Sequence, residues 1–222
     1  MKMIDHLSVT VKEDLLETLC SGSKVSVAAA CFSIYAYQEL KEQLEKVEEL
    51  RFIFTSPTFT TEKEPKQRRE FYIPRLSRER NLYGTEFEVR LRNELTQKAI
   101  AKECADWIRR KVQFKSNVTQ EQMPGFLTVD GSTYAGINGF TTVDLGCERG
   151  NNAYYPVMRT ESFENAGYYL KTFDELWADK KRLQDVTDKV IENITTAYRE
   201  NAPEFIYFFT LYNIFNEFLE DI

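Results

Sequence analysis

Few residues in this 222-residue chain are of types that carry covalent chemistry. The one histidine, His6, lies in Asp5-His6-Leu7-Ser8 with no lysine two residues on. Imidazole is neutral and basic near pH 7, which a phosphoryl-accepting nucleophile must be, so one isolated histidine leaves little scope for that chemistry. Cys20, Cys31, Cys104 and Cys147 are far apart and form no Cys-x-x-Cys pair. With a single histidine to join them, they argue against a zinc site and for reduced core thiols in a cytosolic protein. A hydrolase with a non-standard metal site would have to draw on Asp130, Asp144 and Glu148. Three scattered acids among 35 are weak support for a metal-dependent nuclease or phosphodiesterase, and Asp130-Gly131 is already explained as a turn. No catalytic residue and no metal ligand is assigned.

Two stretches have the chemistry of anion contact. In Gly136-Ile137-Asn138-Gly139-Phe140-Thr141-Thr142, the side chains of Asn138, Thr141 and Thr142 offer polar hydrogens, and Gly136 and Gly139 allow close backbone approach to a phosphate. The competing reading is a turn held by its own side-chain bonds. From Glu62 to Arg80 there are seven basic residues, Arg68, Arg69, Arg75, Arg78 and Arg80 among them, against four acids. That local net of +3 stands in a chain of net charge −6, so contact with a polyanion must be local rather than general. Phe71, Tyr72 and Tyr83 interleave with the charges, a composition suited to a nucleic-acid backbone and equally to a solvated, ion-paired insertion.

The central stretch Pro124-Gly125-Phe126-Leu127-Thr128-Val129-Asp130-Gly131, continuing through Ser132-Thr133-Tyr134-Ala135 to Asn138-Gly139-Phe140-Thr141 and Leu145-Gly146, resembles the core of the phospholipase D-like (HKD) superfamily. There a strand carrying His-x-Lys turns into a second strand that ends in a Gly-Ser-x-Asn-Phe-Thr loop. On that pattern Pro124 and Phe126 stand where the family has its histidine and lysine, so the resemblance implies an emptied site. Lys24-Val25-Ser26-Val27-Ala28-Ala29-Ala30-Cys31-Phe32-Ser33-Ile34-Tyr35 and Leu50-Arg51-Phe52-Ile53-Phe54 are similar to the opening of the phospholipase D-like region that precedes the motor in bacterial SNF2-type helicases, often tied to restriction and phage defence. Phe173-Asp174-Glu175-Leu176-Trp177 and 203–215 resemble later parts of that region. Single lobes of this kind commonly pair about a two-fold axis, so the resemblance also implies a homodimer.

The elements that must position these residues follow from hydrophobic pattern. Leu15, Leu16 and Leu19 predict a short helix closing at Ser21-Gly22-Ser23. Lys24–Ser33 and Arg51–Thr55 read as central strands joined by a helix over 35–50, a right-handed βαβ unit. The spacing predicts helices over 86–111, 162–178 and 180–201, strands over 112–115 and 153–159, and a hairpin over 126–137. Trp177 is expected in the core. The helix after Pro203 carries Phe205, Phe208, Phe209, Tyr212 and Phe215 and is apolar on nearly every side, which suits either a neighbouring subunit or domain, or this domain's own core.

The expected architecture is therefore α/β: a phospholipase D-like mixed sheet flanked by helices over 1–178, then a helical extension over 179–222 leading toward a motor domain. The expected role is a non-catalytic module of a DNA helicase or translocase, serving DNA engagement, assembly or both. A pure dimerisation module is the alternative with no nucleic acid. The chain holds no Gly-x-x-x-x-Gly-Lys-Ser/Thr, so no cofactor is expected here, and ATP and magnesium belong to the downstream helicase domains. No apolar run approaches the ~18 residues of a membrane span, so a cytoplasmic location is expected.

Overall fold

In the computed structural model, residues 1–57, 86–119, 121–147, 156–161 and 163–196 are described, without side chains for 86–95, 163–165 and 196. The basic set Arg68, Arg69, Arg75, Arg78 and Arg80, the acid Glu148, and the aromatic set Phe205, Phe208, Phe209, Tyr212 and Phe215 all lie outside the described residues. The chain divides into two compact units, 1–64 with 103–192, and 65–102 with 193–222. The second unit's described part is helical.

The fold is α/β, one mixed sheet with helices. The strands are β1 (Lys2–Ile4), β2 (Lys24–Ala29), β3 (Glu49–Phe54), β4 (Val112–Asn117), β5 (Phe126–Val129), β6 (Ser132–Ala135), β7 (Val157–Thr160) and β8 (Leu183–Asp185). The helices are α1 (Val11–Thr18), α2 (Ile34–Leu44), α3 (Glu86–Lys111), α4 (Phe163–Ala178) and α5 (Thr187–Thr196). The sheet order is β1-β7-β6-β5-β2-β3-β4-β8, with β2, β3 and β4 parallel and every other pairing antiparallel.

The central strands are buried because both faces are covered. Ala28, Ile53 and Phe126 point to one face, where Phe173 of α4 and Leu183 meet them. Phe52 and Phe114 alternate to the other and pack around Phe32, at centroid distances of 5.7 and 5.2 Å. On that second face α1 is joined to α2 by Lys12–Glu39, and α2 to α3 by the stack of Tyr37 on Trp107 (4.8 Å) and by Trp107 Nε1 donating to Leu44 O. Caps set the helix starts: Thr10 and Glu13 form a capping box at α1, and the Ser33 hydroxyl accepts from Tyr35 N at α2.

Several boundaries differ from the expected ones. The helix expected over 35–50 ends at Leu44, and β3 already begins at Glu49. In place of a helix from 180, the Asp179 carboxylate accepts from the N–H groups of Lys181 and Arg182 in a turn. Leu183–Asp185 then pairs with β4, and the helix begins only at Thr187, whose N–H Asp185 accepts. Burial of Leu183 against Ile53 and Phe173 outweighs the local helical pattern. Of the four cysteines only Cys104 is buried. Cys20 follows the end of α1 and Cys31 the end of β2, and both are exposed. Trp177 is partly buried, stacked on Phe173 at 5.6 Å with the Lys115 ammonium 4.5 Å from its ring, so it borders the core rather than filling it.

Candidate functional site at the ends of the central strands

In an open sheet with parallel strands, ligands bind at the strands' carboxyl ends, where the order of the strands reverses. Here that reversal falls between β2 and β5, and the expected phosphate loop lies beside it. Residues 136–140 run on from β6 along the end of β2. Ala30 N–H donates to Asn138 O (2.9 Å), Phe140 N–H to Cys31 O (2.9 Å) and Ser33 N–H to Phe140 O (3.0 Å). Two contacts hold the loop in this place. Gly136 N–H donates to Gly125 O (3.3 Å), and a Cβ on Gly125 would run into the Ile137 carbonyl. The ring of Phe140 stacks on Phe32 at 5.8 Å.

The sequence-predicted contacts divide. Asn138 is exposed and Thr142 half-exposed. Thr141 is turned inward: its hydroxyl donates to Asp144 Oδ2 (2.5 Å) and accepts from Asp144 N (3.2 Å), while Gly139 N–H donates to Asp144 Oδ1 (3.2 Å). Of the three side chains expected to meet a phosphate, Thr141 therefore meets the chain's own carboxylate, as does the Gly139 N–H. A helical turn follows, closed by Leu145 N–H to Thr141 O and Cys147 N–H to Thr142 O. A substituent on Gly139 would strike Asp144 and the Cys31 thiol, so the turn has no room to admit another group at that point.

The two positions that the resemblance would pair with a histidine and a lysine, Pro124 and Phe126, lie at the same end, because Phe126 is in register with Ala28 of β2. Phe126 is fully buried, 5.1 Å from the Tyr169 ring and 6.3 Å from Phe173. It is core, pinned under α4.

Placement separates two of the three acids that the metal reading would draw on. Asp130 caps the other end of β2, its carboxylate accepting from Lys24 N at 2.9 Å, whereas Asp144 sits beyond Ala29. At ~3.3 Å per residue the six residues of β2 hold the two acids roughly 20 Å apart, too far to share an ion. Asp130 takes a left-handed conformation (φ 47°) to make its turn. Among the described residues no group of three His, Cys, Asp or Glu side chains could hold a metal.

The sequence reading missed a buried charge cluster on the opposite face. Asp14 of α1 is 1% exposed and accepts from Lys2 Nζ (2.5 Å), Tyr134 Oη (2.7 Å) and Arg159 Nη1 (2.8 Å). Lys2, Arg159 and Tyr134 stand in one cross-strand row over β1, β7 and β6. Burial pushes the Asp14 carboxyl up, but these three donors together hold it below its ordinary value. The aspartate sat unremarked on a short amphipathic helix, and nothing local signals partners more than 100 residues away.

No protein-family model matches the chain, and no curated protein matches it.

Proposed function

We propose that this chain is a non-catalytic phospholipase D-like module, of the kind that precedes the motor of SNF2-type helicases in restriction and phage defence, and that it works by binding and assembly rather than by hydrolysis. The observation that supports this best is Phe126. At the position the resemblance assigns to a catalytic lysine, the chain places an aromatic ring in the core, in contact with Tyr169 and near Phe173. Asp144 adds to it, because a fixed carboxylate on the loop repels a second anion.

DNA engagement would then fall to the basic segment 62–80, through Arg68, Arg69, Arg75, Arg78 and Arg80. The aromatic segment with Phe205, Phe208, Phe209, Tyr212 and Phe215 would serve the helicase domains or a second copy, and ATP and magnesium would act in the motor. Fluorescence anisotropy with labelled single- and double-stranded DNA over a salt series tests the reading, with Arg68→Ala/Arg69→Ala/Arg75→Ala alongside and a phosphodiester hydrolysis assay in magnesium. Expected are binding that weakens with salt and weakens further in the variant, and no hydrolysis. Absence of binding at low salt would leave an assembly domain. Hydrolysis by the purified chain would overturn the reading.

A further inference from the structure

The chain's single histidine takes no part in the proposed function, yet it packs against the turn that closes the loop. Asp5 Oδ1 accepts from Leu7 N, Ser8 N and Ser8 Oγ, and within this turn His6 takes a left-handed backbone (φ 59°) that presents its ring to residues 139–147. Its Nδ1 is buried without a hydrogen-bond partner. What faces Nδ1 is Gly146, itself at φ 80°, where an added Cβ would lie 2.6 Å from the nitrogen and 2.9 Å from Thr10 Cβ. Beside that contact, the start of α1 is tied to the same turn by Lys12 N–H donating to Leu145 O (2.9 Å).

We propose that His6 is a proton-sensitive clasp: neutral, it holds the 139–147 turn against the start of α1, and protonated, it releases it. The reasoning is one of donors and acceptors. A neutral imidazole with its hydrogen on Nε2 leaves only a lone pair at Nδ1, which can rest against the Gly146 backbone at small cost. An imidazolium carries N–H on both nitrogens, and a charged N–H buried against a glycine Cα has no acceptor.

The charged groups around the ring do not supply one. Asp5 is committed to its own turn. On the loop, Asp144 has one oxygen on Gly139 N–H and the other on the Thr141 hydroxyl, so turning to His6 would undo the loop's own cap. On α1, Lys12 is paired with Glu39 of α2 and lies near Cys147, while Glu13 completes the Thr10 capping box. Burial lowers the imidazole pKa from 6.5, and attraction from Asp144 and Asp5 only partly offsets it. With a depressed pKa the clasp's contribution is complete above pH 6.5 and is lost as the pH falls through the folded-state value.

Proton-detected 15N spectroscopy on the full chain from pH 5 to 8 tests this. Expected are the Nε2–H tautomer at pH 8, a His6 midpoint below 6.5, and Gly139, Leu145 and Gly146 amide shifts that follow the same midpoint. His6→Phe keeps a ring at the site and should abolish that common transition. An Nδ1–H tautomer, a midpoint at or above 6.5, or loop amides that titrate unchanged in His6→Phe would each overturn the proposal. Should the variant fail to fold, the wild-type tautomer and midpoint decide alone.

Discussion

Replacing Phe126 by lysine supplies the residue type that the proposed phospholipase D-like reading assigns to a catalytic strand at this position, and the structure says that it will not be accommodated. Phe126 is fully buried among Ala28, Ile53, Phe173 and Leu183. Truncating such a ring costs about 3–5 kcal/mol, which sets the scale for Phe126→Ala. Phe126→Lys loses the same packing and must also desolvate an ammonium or shed its proton. A lysine held neutral at pH 7 against an ordinary value near 10.4 costs roughly 1.4 kcal/mol for each pH unit between.

The sign follows from that lowered pKa: the lysine variant gains relative to Phe126→Ala as pH rises and loses as it falls. Urea unfolding followed by the fluorescence of Trp107 and Trp177, at pH 7 and pH 9, reads both quantities. Expected is a deficit of Phe126→Lys against Phe126→Ala that is about 2–3 kcal/mol larger at pH 7 than at pH 9. A lysine variant within about 1 kcal/mol of wild type, with no dependence on pH, would refute the reasoning. It would mean that position 126 opens to solvent, as an active-site residue does.

Two further outcomes follow from the same geometry. Asp14→Ala leaves the largely buried Arg159 with the exposed Glu161 as its remaining carboxylate and should cost about 2 kcal/mol at pH 7, whereas Lys2→Ala, whose side chain is 46% exposed, should cost less than about 1 kcal/mol. Because the Asp14 carboxyl is held below its ordinary 3.8, the difference should be complete above that pH and shrink as acid protonates the folded state, which urea titrations from pH 7 to pH 3 will measure. Gly125→Ala drives a methyl into the Ile137 carbonyl and should lower stability by about 1–3 kcal/mol, while Gly131→Ala, with nothing within 4 Å of its added Cβ, should stay within about 0.5 kcal/mol in thermal melts.

Much of the sheet's centre was legible because its signals are local. The small and apolar run of β2, the aromatic run of β3 and the Asp130-Gly131 turn each declare themselves within a few residues. So does the long periodic face of α3. The two edge strands were not legible. β1 and β8 are three residues each, too short for alternation to register, and they exist only through backbone pairing with β7 and β4, strands distant in the chain. The site divides in the same way. That no histidine and no lysine stand at positions 124 and 126 was plain from the residues themselves. That Thr141 and Gly139 spend their hydrogens on Asp144 was not, since the same Gly-x-Asn-Gly-Phe-Thr letters serve a ligand or a turn equally well.

The sequence by itself determined the α/β class of fold and the local charge bias, because these depend on residue type and on short spacings along the chain. Only the tertiary structure decided which polar groups meet. It separated Asp130 from Asp144 by the length of β2, buried Asp14 among partners from three strands, and pressed His6 onto Gly146. Side-chain chemistry sets what a group can bind, but only the folded chain, which for Asp14 closes over more than a hundred residues to Tyr134 and Arg159, sets what lies within 3 Å of it.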